Sequence, residues 1–156
     1  MLTLQYLKDL ISVREVPVPE ITDLEDQVIE SDAGYDGIVE LIEQRPDGDT
    51  VIILEPGDSG SFGCNPDGVQ HQSQVIWCVA KVGAMEAKKM AQKAMFSLMK
   101  RLVSLFIKHH KNIHLKGWDS SHIPWLVTNA GSNYTGYQFS MYFDEVCDLT
   151  VERFRQ

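Results

Sequence analysis

The chain has 156 residues, with 14 basic and 22 acidic side chains and a net charge of −8. That length sets a single domain with a real core as the natural expectation, and an acidic chain argues against generic phosphate-backbone binding, which needs clustered positive charge. No apolar run approaches the roughly 20 residues of a membrane-spanning helix, and no signal peptide is evident at Met1–Leu10, so no membrane partner is expected and cytoplasmic residence is the default expectation.

The charge is lopsided. Residues 1–60 hold 15 acidic and 3 basic side chains, a net of −12, whereas residues 61–156 hold 7 and 11, a net of +4. Two such regions are either ordinary solvated surfaces or surfaces that attract one another between neighbouring subunits. The three cysteines, Cys64, Cys78 and Cys147, are odd in number and not closely spaced. They favour a reducing compartment and free, partly buried thiols.

In chain order, Thr3–Ser12 reads as a short helix with Leu4, Leu7, Leu10 and Ile11 on one face. Glu15–Glu20 holds two prolines and must be extended. Thr22-Asp-Leu-Glu25 has the form of a capping box and predicts a second short helix from Thr22 to about Ser31. Asp32–Gly37 reads as a loop. The apolar residues of Ile38–Gln44 suit a helix slightly better than an alternating strand, and Arg45–Asp49 is a turn built on Pro46 and Gly48. Val51–Leu54 has no polar break, as in a strand covered on both faces. Glu55–Asp67, with Gly57, Gly60, Gly63, Pro56 and Pro66, reads as a long irregular loop.

A strand resumes over Gln70–Val82, and its centre, Val75–Ala80, is apolar on both faces, which places it mid-sheet. A long amphipathic helix follows, over about 84–110. Ala87, Met90, Ala91, Ala94, Met95, Leu98, Met99, Leu102, Leu105 and Phe106 recur at three- and four-residue spacing on one face. Ile113–Lys116 and Ile123–Val127 are weaker strand candidates, and Pro124 puts the latter at an edge or a strand start. Asn129–Asn133 is a turn. Tyr137–Phe143 alternates as a half-buried strand, and Thr150–Gln156 reads as a frayed tail. The order predicts an α+β fold: a single two-layer domain over 1–156, with a mixed or antiparallel sheet and the long helix laid across it. Residues 1–48 form an acidic helical N-terminal region, and 49–148 hold the sheet and long helix.

Few motifs carry chemistry. Gly57-Asp-Ser-Gly-Ser61 resembles the segment around the nucleophile of chymotrypsin-like serine proteases. In that family histidine and aspartate precede the serine, whereas the first histidine here is His71, after Ser59, so a glycine-rich loop is the better reading and no enzyme is expected. His109, His110 and His114 cluster after the helix. His110 and His114 have i, i+4 spacing but lack the glutamate of a His-Glu-x-x-His motif, and capping of the helix C-terminus is the simpler use. Cys64 and Cys78 lack Cys-x-x-Cys spacing. Trp77, Trp118 and Trp125 read as core or interface anchors, and Met85, Met90, Met95 and Met99 as adaptable core or a binding groove. No catalytic residue, metal ligand or cofactor is assigned.

One resemblance goes further. A strand ending in Lys81-Val-Gly83, a helix rich in lysine and alanine, weak strands and the final alternating strand Tyr137–Phe143 together resemble small tail-completion and neck proteins of tailed bacteriophages. The pattern is similar to the tail terminator group and to prophage proteins of comparable length, over about residues 50–146. The resemblance implies an N-terminal helix, a mixed sheet and one long helix in the subunit of a ring. It implies a structural role in virion assembly, with homo-oligomerisation and other phage structural proteins as partners, and no functional residue is carried over. The rivals are a small hydrolase or ligand-binding domain using the 55–67 loop, and an adaptor that binds another protein through a strand edge.

Overall fold

The computed structural model describes residues 1–63, 69–128 and 133–146. Its centre is a five-stranded mixed sheet of β1 (Val28–Glu30), β2 (Thr50–Gly63), β3 (Val69–Lys81), β4 (Trp125–Thr128) and β5 (Tyr134–Val146), in the order β1-β2-β3-β5-β4. β1 runs parallel to β2, and all other pairs are antiparallel. The helices are α1 (Leu4–Ser12), α2 (Leu24–Gln27), α3 (Gly34–Glu43) and α4 (Met85–Lys108). The fold is the expected α+β domain with one long helix.

Alternation along the strands sorts the core into two faces. Ile52 and Leu54, Ile76 and Cys78, and Phe139, Met141 and Phe143 meet α4 through Met95, Leu98, Met99, Leu102, Leu105 and Phe106, with α1 adding Leu7, Leu10 and Ile11. Val51, Ile53, Trp77, Val79 and Tyr134 point to the other face, where Ile38 and Ile42 of α3 cover them. Val51–Leu54 and Ile76–Ala80 are therefore buried on both sides, as unbroken apolar runs require. The predicted stripe on α4 buries only from Met95 onward. Met90 is 78 % exposed, because the first turns carry mostly alanine and lysine and lie beside a groove of about 560 Å³ lined by Ala87, Ala91, Lys81 and Gly83.

Several elements differ from expectation. The capping box does not form: Asp23, not Thr22, caps α2, accepting from the N–H groups of Glu25 and Asp26. α2 stops at Gln27 because that side chain turns inward. Its carbonyl accepts from the N–H groups of Thr22 and Asp23, and its amide donates to Glu20 O and Thr50 O. Val28–Glu30 is then free to pair with β2, a strand the helical reading missed. α3 begins inside the predicted loop, at Gly34 with φ 77°, and settles Ile38–Gln44 as helix. The buried Lys81 ammonium closes its far end by donating to Glu43 O at 2.6 Å and Arg45 O at 3.3 Å.

The glycine-rich stretch is not an irregular loop up to Gly63. β2 continues through it against β3, with a register shift between Pro56 and Gly60 that absorbs the proline. Ile113–Leu115 is a 3₁₀ turn rather than a strand, capped by Asn112, with only Leu115 buried. One buried residue needs a turn, not a ladder. β4 is an edge strand, as Pro124 indicated, and β5 is longer than its alternating centre. The helix α4 is pinned at mid-length by Arg101, which grips the Glu20 carboxylate at 2.5 and 3.2 Å. Cys78 is a buried free thiol. Cys64, Cys147, residues 129–132 of the predicted turn at 129–133 and the tail at 150–156 lie outside the described residues.

Tyr134 offers a pH handle on the α3 face. Burial pushes its hydroxyl up from 10.0 to about 12, against the hydrogen bond from Thr128. A raised acid binds its proton more tightly when folded, so its contribution is complete below pH 10 and is lost as pH rises through 12. Stability is expected to fall across that window by at most about 1.4 kcal/mol per pH unit. Tyr134→Phe removes this slope and is near neutral at pH 7, because among the described residues the hydroxyl makes only long contacts of 3.4 and 3.5 Å. Urea unfolding of both proteins between pH 9 and 12 checks this; parallel curves would refute it.

Candidate protein-interaction surface

Among the described residues, those singled out by chemistry are not seen to assemble into a reaction centre. Ser59 falls in the register shift of β2, without a partner on β3. The register instead aligns Ser61 with His71 and His71 with Asp144 across three strands, and the His71 imidazole bonds the Asp144 carboxylate. This is the order of groups in a nucleophile triad. However, His71 and Asp144 lie on the open sheet face, 38 % and 44 % exposed. That is not the water-excluded setting in which oxyanion donors stabilise a transition state. Here the pair ties β3 to β5.

The three C-terminal histidines diverge. α4 ends at Lys108, so His110 and His114 share no helix. His110 Nδ1 donates to Ile107 O at 2.9 Å, the capping role expected of it. His114 stacks on Tyr6 at 4.6 Å, and His109 bonds Glu15 at 2.9 Å. Hydrogen bonds from Lys108 and then His109 hold the Glu15 carboxyl below its usual range. Among the described residues no group of three or more His, Cys, Asp or Glu could hold a metal ion. No helix among them is long and apolar enough to cross a membrane.

The tryptophans separate into anchors and surface. Trp77 is buried under α3 and donates to Glu55 at 3.1 Å. Trp118 packs edge-on against Phe106. Trp125 is 55 % exposed, and the next two residues, Leu126 and Val127, are 55 % and 44 % exposed. Together they make β4 an apolar edge.

Trp125 also closes an aromatic ridge. Its ring lies 5.2 Å from Phe96 of α4 and 5.6 Å from Tyr137 of β5, and Phe96 and Tyr137 are 5.1 Å apart, all edge-to-face. A groove of about 330 Å³ runs on one side, over Met99, Val103, Ile123 and Phe139. A second groove of about 430 Å³ runs on the other, between Lys89, Lys93, Lys100 and the ridge.

The backbone of β4 decides what this edge can do. Ser140 N–H donates to Pro124 O, Asp119 N–H to Tyr142 O and Asp144 N–H to Gly117 O. Each bond falls on an even-numbered residue of β5, so these residues face the β4 side. Given the register Leu126↔Gln138 and Thr128↔Gly136, the antiparallel alternation turns Leu126 and Thr128 toward β5. Trp125 and Val127 then present their N–H and C=O groups to the open edge.

The sequence contained a partial signal for this surface. Pro124 marked the edge, but Trp-Leu-Val without a polar break reads as buried. Phe96 and Tyr137 gave no sign of meeting Trp125, because that contact depends on where α4 crosses the sheet. Compared with known proteins, the chain matches no family model and no curated protein.

Proposed function

We propose that this chain is a structural subunit that acts by assembling with copies of itself. The observation that carries this reading is the β4 edge, where exposed Trp125, Leu126 and Val127 accompany backbone groups that are unpaired among the described residues. Proteins that remain monomeric blunt such edges with charge, proline within the strand, or a covering loop. Trp125–Thr128 contains no charge and no proline. An exposed apolar strip beside an aromatic ridge is the composition of an interface core.

The pattern resemblance to tail-completion and neck proteins supplies the finer reading, a ring-forming subunit of a phage or prophage tail or neck. Light scattering at micromolar concentration tests the assembly. An oligomer of fixed stoichiometry is the expected result, and a monomer at every concentration overturns it. The same edge also suits an adaptor that accepts a strand from a different protein, and a concentration-independent monomer would favour that reading.

A further inference from the structure

Two exposed stripes of opposite charge lie on different faces of the sheet. α3 covers one face through Ile38 and Ile42, while α4 covers the other. Outward from α3 project Asp36, Glu40 and Glu43, all exposed, at the i, i+4, i+7 spacing of one helical stripe. Outward from α4 project Lys89, Lys93 and Lys100, also exposed, along the groove of about 430 Å³ floored by Phe96 and Tyr137. Among the described residues, none of these six side chains takes part in an ion pair. Lys100 lies 5.3 Å above the Phe96 ring.

We infer that α3 of a second copy docks in this groove, setting its Asp36, Glu40 and Glu43 against Lys89, Lys93 and Lys100. The inference rests on the assembly reading and adds a contact beside the β4 edge. The lengths agree: the acidic stripe spans about 10 Å and the lysine row about 16 Å at 1.5 Å per residue. The charge agrees as well, with three exposed carboxylates on α3 set against three exposed ammonium groups on α4. One copy cannot satisfy itself, because the sheet stands between its two stripes.

Joining two different surfaces makes the contact heterologous, the kind that closes into a ring or runs on as a chain. Exposed ion pairs contribute only about 0–1 kcal/mol each. The charges therefore set register and association rate, and the ridge supplies most of the affinity.

Two charge-reversal triples test the contact. K89E/K93E/K100E makes both stripes acidic, and D36K/E40K/E43K makes both basic. Each is expected to keep the wild-type melting temperature within a few degrees, since only exposed side chains change. Each is expected to weaken self-association at least about tenfold by light scattering. An equimolar mixture restores the assembly, because each variant now offers what the other lacks. Wild-type assembly by both triples, or a mixture that fails to recover, overturns this interface while leaving the assembly reading in place. A wild-type protein that is monomeric at all concentrations overturns both.

Discussion

Gly136→Ala is expected to lower stability by about 3 kcal/mol or more, a melting temperature about 6–12 °C below wild type for a chain of this length. A Cβ at this position would lie 2.1 Å from Cys78 O, 2.7 Å from Val79 Cα and 2.9 Å from Val79 Cγ1. Two of those three atoms are backbone of β3, the central strand, which is held by β2 on one side and β5 on the other. It cannot step back without straining one ladder to relieve the other. The Val79 methyl is a lesser obstacle, so the double variant Gly136→Ala with Val79→Ala is expected to stay at least as unstable as the single one. Thermal melts by circular dichroism decide the matter. A Gly136→Ala protein melting within 3 °C of wild type, or rescue by Val79→Ala, would mean that the contact is soft.

That glycine shows where sequence reading ends. Position 136 lies beside an alternating strand, and its need for a missing side chain comes from Cys78 and Val79, far away in the chain, with Val79 directly opposite in register. By contrast, elements whose cause is local were legible. Thr3 caps α1 through the Tyr6 N–H, the prolines of Glu15–Glu20 exclude helix, and Val75–Ala80 announced a strand covered on both faces. Pro124 marked an edge because a missing N–H has the same consequence in any fold.

The misreadings share one cause, a distant partner outweighing a local preference. Thr22-Asp-Leu-Glu25 has capping-box chemistry, but Gln27 satisfies Thr22 and Asp23 from within and ties them to Glu20 and Thr50. Gly57–Gly63 has loop composition, but β3 supplies ladder partners for Gly60–Gly63 after the register shift. Met90 has core chemistry, but α4 contributes only small and charged residues around it, and nothing covers that turn among the described residues. The candidate surface was the least legible part. Phe96, Trp125 and Tyr137 come from three elements, and only the crossing of α4 over β5 brings them together.

Proline substitution along β4 separates the edge from the fold. At position 127 the lost N–H points to the open side, so Val127→Pro removes an interface donor and leaves the β4–β5 ladder intact. At position 126 the lost N–H belongs to the pair Leu126↔Gln138, and the ring also crowds the preceding residue. Val127→Pro is therefore expected to weaken self-association by about tenfold, the effect of one unmade interfacial hydrogen bond of about 1–3 kcal/mol. Its melting temperature should stay close to wild type. Leu126→Pro is expected to cost about 3 kcal/mol of stability through the broken ladder, and to lose assembly only because β4 has come away. Light scattering and thermal melts on the same two samples distinguish the cases. If Val127→Pro assembles as wild type does, the neighbouring subunit does not use the backbone of this edge, and contact is confined to the side chains of the ridge and the α4 groove.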